Sequence, residues 1–128
     1  MAAKTVQIDN TPITLLTGTS GVVGTPTAAS ATLVPTPGRL AYVTSIDFSG
    51  SGSTAASVAG ATLSGLAAGT ISYELGVPAG VTTPAIPFVQ YFDPPLPASG
   101  PGVTINWNVP GMGSGSAAYV ANAYGYMV

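Results

Sequence analysis

The chain has 128 residues, of which only 5% are charged, and its formal net charge at pH 7 is −2. Its two bases, Lys4 and Arg39, are too few to form a phosphate-binding patch, so the composition argues against nucleic-acid binding and against a charge-driven membrane contact. Cysteine and histidine are absent, which excludes disulfide scaffolds, thiol nucleophiles, histidine-based triads and the usual zinc sites.

Residues 1–37 differ from the rest of the chain, because they are rich in Thr, Ala and Gly and contain no aromatic residue. Short runs at residues 6–9, 13–16 and 30–34 are weak strand candidates. We interpret this part as an N-terminal arm that docks elsewhere or as edge strands of the main domain. The N-terminus carries no hydrophobic signal-type stretch, so we expect synthesis in the cytoplasm.

Residues 38–128 carry the clear strand pattern, in which apolar and polar side chains alternate between Gly- and Pro-rich turns. The first clear strand is residues 40–48, and we expect its apolar face to lie on a core. That face holds Leu40, Tyr42, Thr44, Ile46 and Phe48.

Three more strands with strict alternation follow, at residues 70–77, 103–109 and 117–127. Residues 56–63 and 86–92 are weaker candidates, and the second shows so little alternation that we expect burial on both sides. The apolar positions of the two central strands are Ile71, Tyr73, Leu75, Val77, Val103, Ile105, Trp107 and Val109.

This succession of short strands and turns predicts an all-β fold. We expect one domain, with residues 38–128 forming a two-sheet antiparallel β-sandwich of jelly-roll type with about eight strands. Long proline- and glycine-rich corners are expected at residues 93–102 and 110–115.

The four acidic residues offer little catalytic chemistry. Asp47 and Glu74 lie on polar faces of separate strands, and a glycosidase would need such a pair to face each other across a cleft. Asp93 begins a proline-rich corner, and Asp9 could join an oxygen-ligand calcium site. Since each is more often a solvated or turn-capping acid, we predict no enzyme activity, no cofactor and no catalytic or metal-binding residues.

The aromatic residues allow two interpretations. Trp107 lies among Val and Ile on one strand face, which favours a core position. Tyr119 and the pair Tyr124 and Tyr126 fall on opposite faces of the last strand. Exposed tyrosines could stack on sugar rings or fill a protein interface.

Three stretches resemble a known family. They are residues 61–80, residues 92–100 with the corner Pro-Pro-Leu-Pro-Ala-Ser, and residues 121–126 with Asn-Ala-Tyr-Gly-Tyr. Together with the strand opening Arg39-Leu40, they are similar to small β-sandwich accessory proteins of tailed bacteriophages and prophages. The resemblance runs from Arg39 to the end of the chain. It implies a location in the virion, capsid decoration or cementing, homotrimers, and the major capsid protein as partner.

We therefore expect a structural virion protein whose charge-poor surface is covered by neighbours and whose contacts change little with salt. The alternative is a carbohydrate-binding or adhesin module of a phage tail or fibre, which would use Tyr124, Tyr126 or Trp107.

Overall fold

The structure is a computed structural model that describes residues 12–51, 57–77, 87–112 and 118–128. These residues form strands and connecting turns, and no helix long and apolar enough to cross a membrane occurs among them. The strands are β1 (Thr14–Thr19), β2 (Ala29–Leu33), β3 (Ala41–Ser51), β4 (Ser57–Ser64), β5 (Ile71–Val77), β6 (Phe88–Pro97), β7 (Ile105–Val109) and β8 (Ala118–Met127).

The strands form two four-stranded sheets that pack face to face. Sheet A has the order β1-β8-β3-β6 and sheet B has the order β2-β7-β4-β5. All pairs are antiparallel, and the nested pairs β1–β8, β2–β7, β3–β6 and β4–β5 trace one long hairpin rolled over itself. This is the strand order of a jelly roll, and the predicted all-β sandwich is confirmed.

The core lies between the sheets, and Trp107 is its largest fully buried side chain. Its indole ring contacts Tyr73 edge-on, with centroids 5.6 Å apart, and stacks on Phe88 at 6.2 Å. Its Nε1 donates a hydrogen bond of 2.9 Å to the backbone carbonyl of Asp47 in the other sheet. The core position predicted for Trp107 is confirmed, and this residue joins the two sheets.

The face predicted for residues 40–48 is wrong in its first half. Ala41 and Val43 are buried, whereas Tyr42 points outward. The register of β3 shifts between Val43 and Ser45, where a β-bulge places the extra residue Thr44 opposite no partner in β8. The inserted residue moves the core face from odd-numbered to even-numbered positions of β3. Ile46 and Phe48, which follow the bulge, therefore face the core as predicted.

The burial predicted on both sides of residues 86–92 is also wrong. The strand begins at Phe88, and Val89 and Tyr91 are 47% and 74% exposed. β6 is the outermost strand of sheet A, and its exposed side chains lie on the outer face of that sheet. β6 also extends into residues 93–102, where the sequence predicts a corner. Its residues 92–95 have no partner opposite the β3 bulge, and pairing with β3 resumes at Leu96.

The residues before the clear pattern form the outer strands on one side of the sandwich. β1 lies at the edge of sheet A and β2 at the edge of sheet B. The guanidinium of Arg39 donates to the Thr14 hydroxyl (3.1 Å), the Pro12 carbonyl (2.6 Å) and the Met127 carbonyl (3.1 Å), which fixes the start of β1. The strand candidate at residues 6–9 lies outside the described residues.

Candidate binding face

The outward surface of sheet A gathers four of the six tyrosines in the chain. We call it the tyrosine face. Its central side chains are Leu15, Tyr42, Ser45, Asp47, Val89, Tyr91, Asn122, Tyr124 and Tyr126.

Strand register sets the neighbours on this face. Tyr126 of β8 lies opposite both Leu15 of β1 and Tyr42 of β3. The rings of Tyr42 and Tyr126 stack with centroids 5.0 Å apart and an interplanar angle of 13°. Such a cross-strand aromatic pair stabilises the sheet and stiffens the surface that it presents.

The face exposes large apolar side chains. Leu15 is 81% exposed, and Tyr124 in the neighbouring strand is 40% exposed. Val89 and Tyr91 extend the exposed apolar surface to the opposite edge of the sheet. Large exposed apolar side chains gathered on one face of a sheet are typical of an interaction surface.

Asp47 supplies a carboxylate near the centre of the tyrosine face. Its Oδ1 accepts a hydrogen bond of 2.8 Å from Nδ2 of Asn122, its cross-strand partner in β8. The negative charge of Asp47 is the main cause that raises the pKa of the Tyr124 phenol, with smaller contributions from burial and from a side-chain hydrogen bond between the two residues. The Asp47 carboxylate is therefore held by groups on β8.

This arrangement predicts how the pKa of the Tyr124 phenol responds to loss of the Asp47 charge. Replacing Asp47 with asparagine removes the charge that disfavours the phenolate, so the pKa of Tyr124 falls towards its usual value. The tyrosine ring signals in an alkaline NMR titration measure this change. The matched control Glu74→Gln removes a carboxylate from the other sheet and should leave the pKa of Tyr124 unchanged; an equal effect of both variants would contradict the assignment.

The acidic residues considered as candidates do not come together. Asp47 lies on the outer face of sheet A, whereas Glu74 is exposed on the outer face of sheet B. Asp93 is exposed where β6 loops out, and Asp9 lies outside the described residues. Among the residues that the structure covers, no group of three or more acidic side chains could hold a metal ion.

The outer face of sheet B has a different chemistry. Hydroxyl and amide side chains dominate it beside one exposed apolar residue, Val58. Oγ of Ser30 donates to Oδ1 of Asn106 at 3.0 Å. The two faces of the sandwich are therefore unlike each other. The polar side chains of this second face are Ser30, Thr32, Thr62, Ser64, Ser72, Glu74, Asn106 and Asn108.

The structure divides the aromatic candidates as the alternation predicts. Tyr119 is buried, and its hydroxyl donates to the Thr27 carbonyl. Tyr124 and Tyr126 point outward on the opposite face of β8. Trp107 is fully buried and so takes no part in any surface site.

Sequence reasoning missed Tyr42 and Tyr91 as members of this face. Tyr42 is displaced from the expected alternation by the bulge that follows it. Tyr91 lies in a run whose pattern gives no preference between the two faces.

Comparisons with protein-family models, with curated proteins and with solved structures found no match for this chain.

Proposed function

We propose that this chain is a structural protein of a tailed-phage virion, a capsid decoration or cement protein that binds the major capsid protein through the tyrosine face. The observation that supports the proposal is that this face carries four of the eight exposed large hydrophobic side chains among the described residues, together with the stacked pair Tyr42 and Tyr126. The resemblance of residues 39–128 to phage accessory proteins points to the same role. In this proposal the protein acts by contact and catalyses no reaction.

The size of the face fits a specific protein contact. The four strands of sheet A are 6, 10, 11 and 10 residues long, and at about 4.8 Å between strands they present roughly 600 Å² in projection. Stable interfaces bury on the order of 800 Å² of accessible surface on each partner, so the face together with its rim is large enough. Tyrosine enrichment and depletion of charge are also typical of interface centres.

The difference between the two faces suits a protein that is docked on one side only. The hydroxyl and amide groups of sheet B can hydrogen-bond to water, while the apolar side chains of sheet A gain from being covered. Sheet A would then face the capsid shell and sheet B the surrounding solution.

Binding to capsids that lack this protein tests the proposal. Tyr91→Asp places a charge on the most exposed tyrosine of the face and is expected to weaken co-sedimentation at least about 30-fold, as at an interface hot spot. The matched control Ser72→Asp adds the same charge to the exposed outer face of sheet B and should leave binding unchanged. Absence of wild-type binding, or equal loss with both variants, would refute the proposed contact.

Because so few ionised groups take part, binding should depend little on ionic strength. We expect the dissociation constant for capsids to change less than about fivefold between low and physiological salt. A steep, linear loss of affinity with salt in the same sedimentation assay would instead indicate a contact dominated by many ion pairs.

We further propose that the protein is made in the cytoplasm of the bacterial host, resides in the virion as a homotrimer and contacts neither nucleic acid nor membrane. Light scattering of the purified protein should then give three times the chain mass of 12.5 kDa. A particle of the single-chain mass both in solution and in capsid maps would contradict the trimer.

The second candidate function is glycan binding by a tail or fibre module. The observation that favours it is the exposed rings of Tyr91 and Tyr124 beside the polar pair Asp47 and Asn122. A glycan array tests this role. Binding that Tyr124→Ala abolishes without unfolding the protein would support glycan recognition, and an array without any bound glycan would refute it.

A further inference from the structure

Strand register places two tyrosines on either side of one small side chain of the tyrosine face. Ser45 of β3 lies between two tyrosines, opposite Tyr124 on one side and Tyr91 on the other. β6 and β8 are roughly 10 Å apart at the backbone, since each lies one strand spacing from β3. The side chain of Ser45 is shorter than the phenols opposite it on either side, and we call this position between Tyr91 and Tyr124 the slot.

Asp47 places a carboxylate next to the slot. Asp47 follows Ser45 by two residues and so points to the same side of the sheet. Its neighbours are Asn122, which donates to Oδ1, Tyr124, whose phenol also hydrogen-bonds to the carboxylate, and Val89 on the opposite strand. A carboxylate has about four lone-pair sites, so after these local contacts Asp47 still has acceptor capacity towards a ligand.

The chemistry of the slot selects a flat cation. A planar group held between two rings needs about 7 Å between the ring planes, which the strand spacing permits. Guanidinium stacks on aromatic faces, is weakly hydrated and pairs with carboxylates through two parallel N–H bonds. A lysine ammonium is not planar and cannot donate two parallel hydrogen bonds to a carboxylate. An anion would be repelled by the Asp47 carboxylate.

Covering the tyrosine face creates a further requirement. A carboxylate buried in an interface is costly unless the partner supplies a charge or donors that compensate for its lost water. A partner arginine meets this requirement and fills the slot at the same time.

We propose that the tyrosine face receives an arginine side chain of its protein partner, with the guanidinium lying between Tyr91 and Tyr124 and paired with the Asp47 carboxylate. This inference rests on the proposed docking role of the face and names the chemistry of the partner. The slot is then a specificity pocket, because a partner without that arginine leaves Asp47 buried and unpaired.

The direct test uses N-acetyl-arginine-N-methylamide as the probe and the tyrosine ring and asparagine side-chain NMR signals as the readout. We expect saturable shifts at Tyr91, Tyr124 and Asn122, with a dissociation constant on the order of 1–10 mM. The citrulline analogue, which has the same shape without the charge, should bind at least about tenfold more weakly. No saturation, or equal binding of citrulline, would overturn the inference.

Two matched variants locate the charge. Asp47→Asn keeps the side-chain shape and the backbone carbonyl that Trp107 uses, whereas Glu74→Gln removes a carboxylate from the opposite sheet. Probe binding should fall at least about tenfold in the first and stay unchanged in the second. Equal losses would show that only net charge matters and would overturn the site.

Capsid binding separates this inference from the proposed function. If wild-type protein binds capsids and Asp47→Asn binds them equally well, the arginine pocket is wrong and the docking role stands. If wild-type protein binds the probe and not capsids, the proposed function fails while the pocket remains. Displacement of the probe by a neutral glycan from the array would reassign the slot to sugar binding and overturn the arginine assignment.

Discussion

Replacing Trp107 with alanine is expected to lower the free energy of unfolding by about 3–5 kcal/mol. Trp107 is fully buried, and its loss leaves a cavity where Tyr73 and Phe88 meet. It also leaves the Asp47 carbonyl without its indole donor. In a domain of this size the melting temperature should fall by about 10–20 °C.

Trp107→Phe separates packing from hydrogen bonding. Phenylalanine keeps an aromatic ring in the core and lacks the Nε1 donor, so a smaller loss of about 1–3 kcal/mol is expected. Denaturant titrations of the three proteins, followed by circular dichroism, give the differences directly. If alanine and phenylalanine were equally destabilising, the ring contacts would not be the main contribution of this residue.

The second large effect is expected from Gly125→Ala in β8. A Cβ at this position would overlap the carbonyl oxygen of Tyr42 and lie 2.9 Å from Cδ1 of Leu33. Gly125 pairs with Val43 immediately before the β3 bulge, so the two strands cannot separate without disturbing that register. We expect a loss of about 3 kcal/mol or more, at the upper end for overpacked sites.

Gly60→Ala is the matched control for this prediction. Gly60 also lies within a strand, in β4, and a Cβ there meets no atom within 4 Å. The expected change is within about 1 kcal/mol, because alanine mainly reduces the freedom of the unfolded chain. Equal destabilisation of the two variants in thermal melts would show that the close approach at Gly125 does not set its cost.

Most strands could be predicted from local alternation. β5, β7 and β8 follow it, and Leu75, Ile105 and Tyr119 are among the side chains that they bury as expected. β3 could not be predicted fully, since a single bulge residue reverses the pattern and no local signal marks Thr44. β6 lacks alternation, and its edge position depends on pairing with a distant strand.

The binding face could be predicted only in part. The outward direction of Tyr124 and Tyr126 follows from the period of β8, whereas their neighbours depend on the pairing of β8 with β3. Asp47 and Asn122 are 75 positions apart in the sequence and meet only through that register. A site assembled across strands is a property of the sheet topology, which local patterns do not encode.

The bond between the indole of Trp107 and the Asp47 carbonyl has a practical consequence. Asp47 presents its carboxylate to the outside and its carbonyl to the chain's single tryptophan. A ligand that shifts Asp47 therefore changes the electrostatic surroundings of the fluorophore from the other side of the same residue. We therefore expect tryptophan emission to report occupancy of the tyrosine face, although the indole ring itself is buried between the sheets.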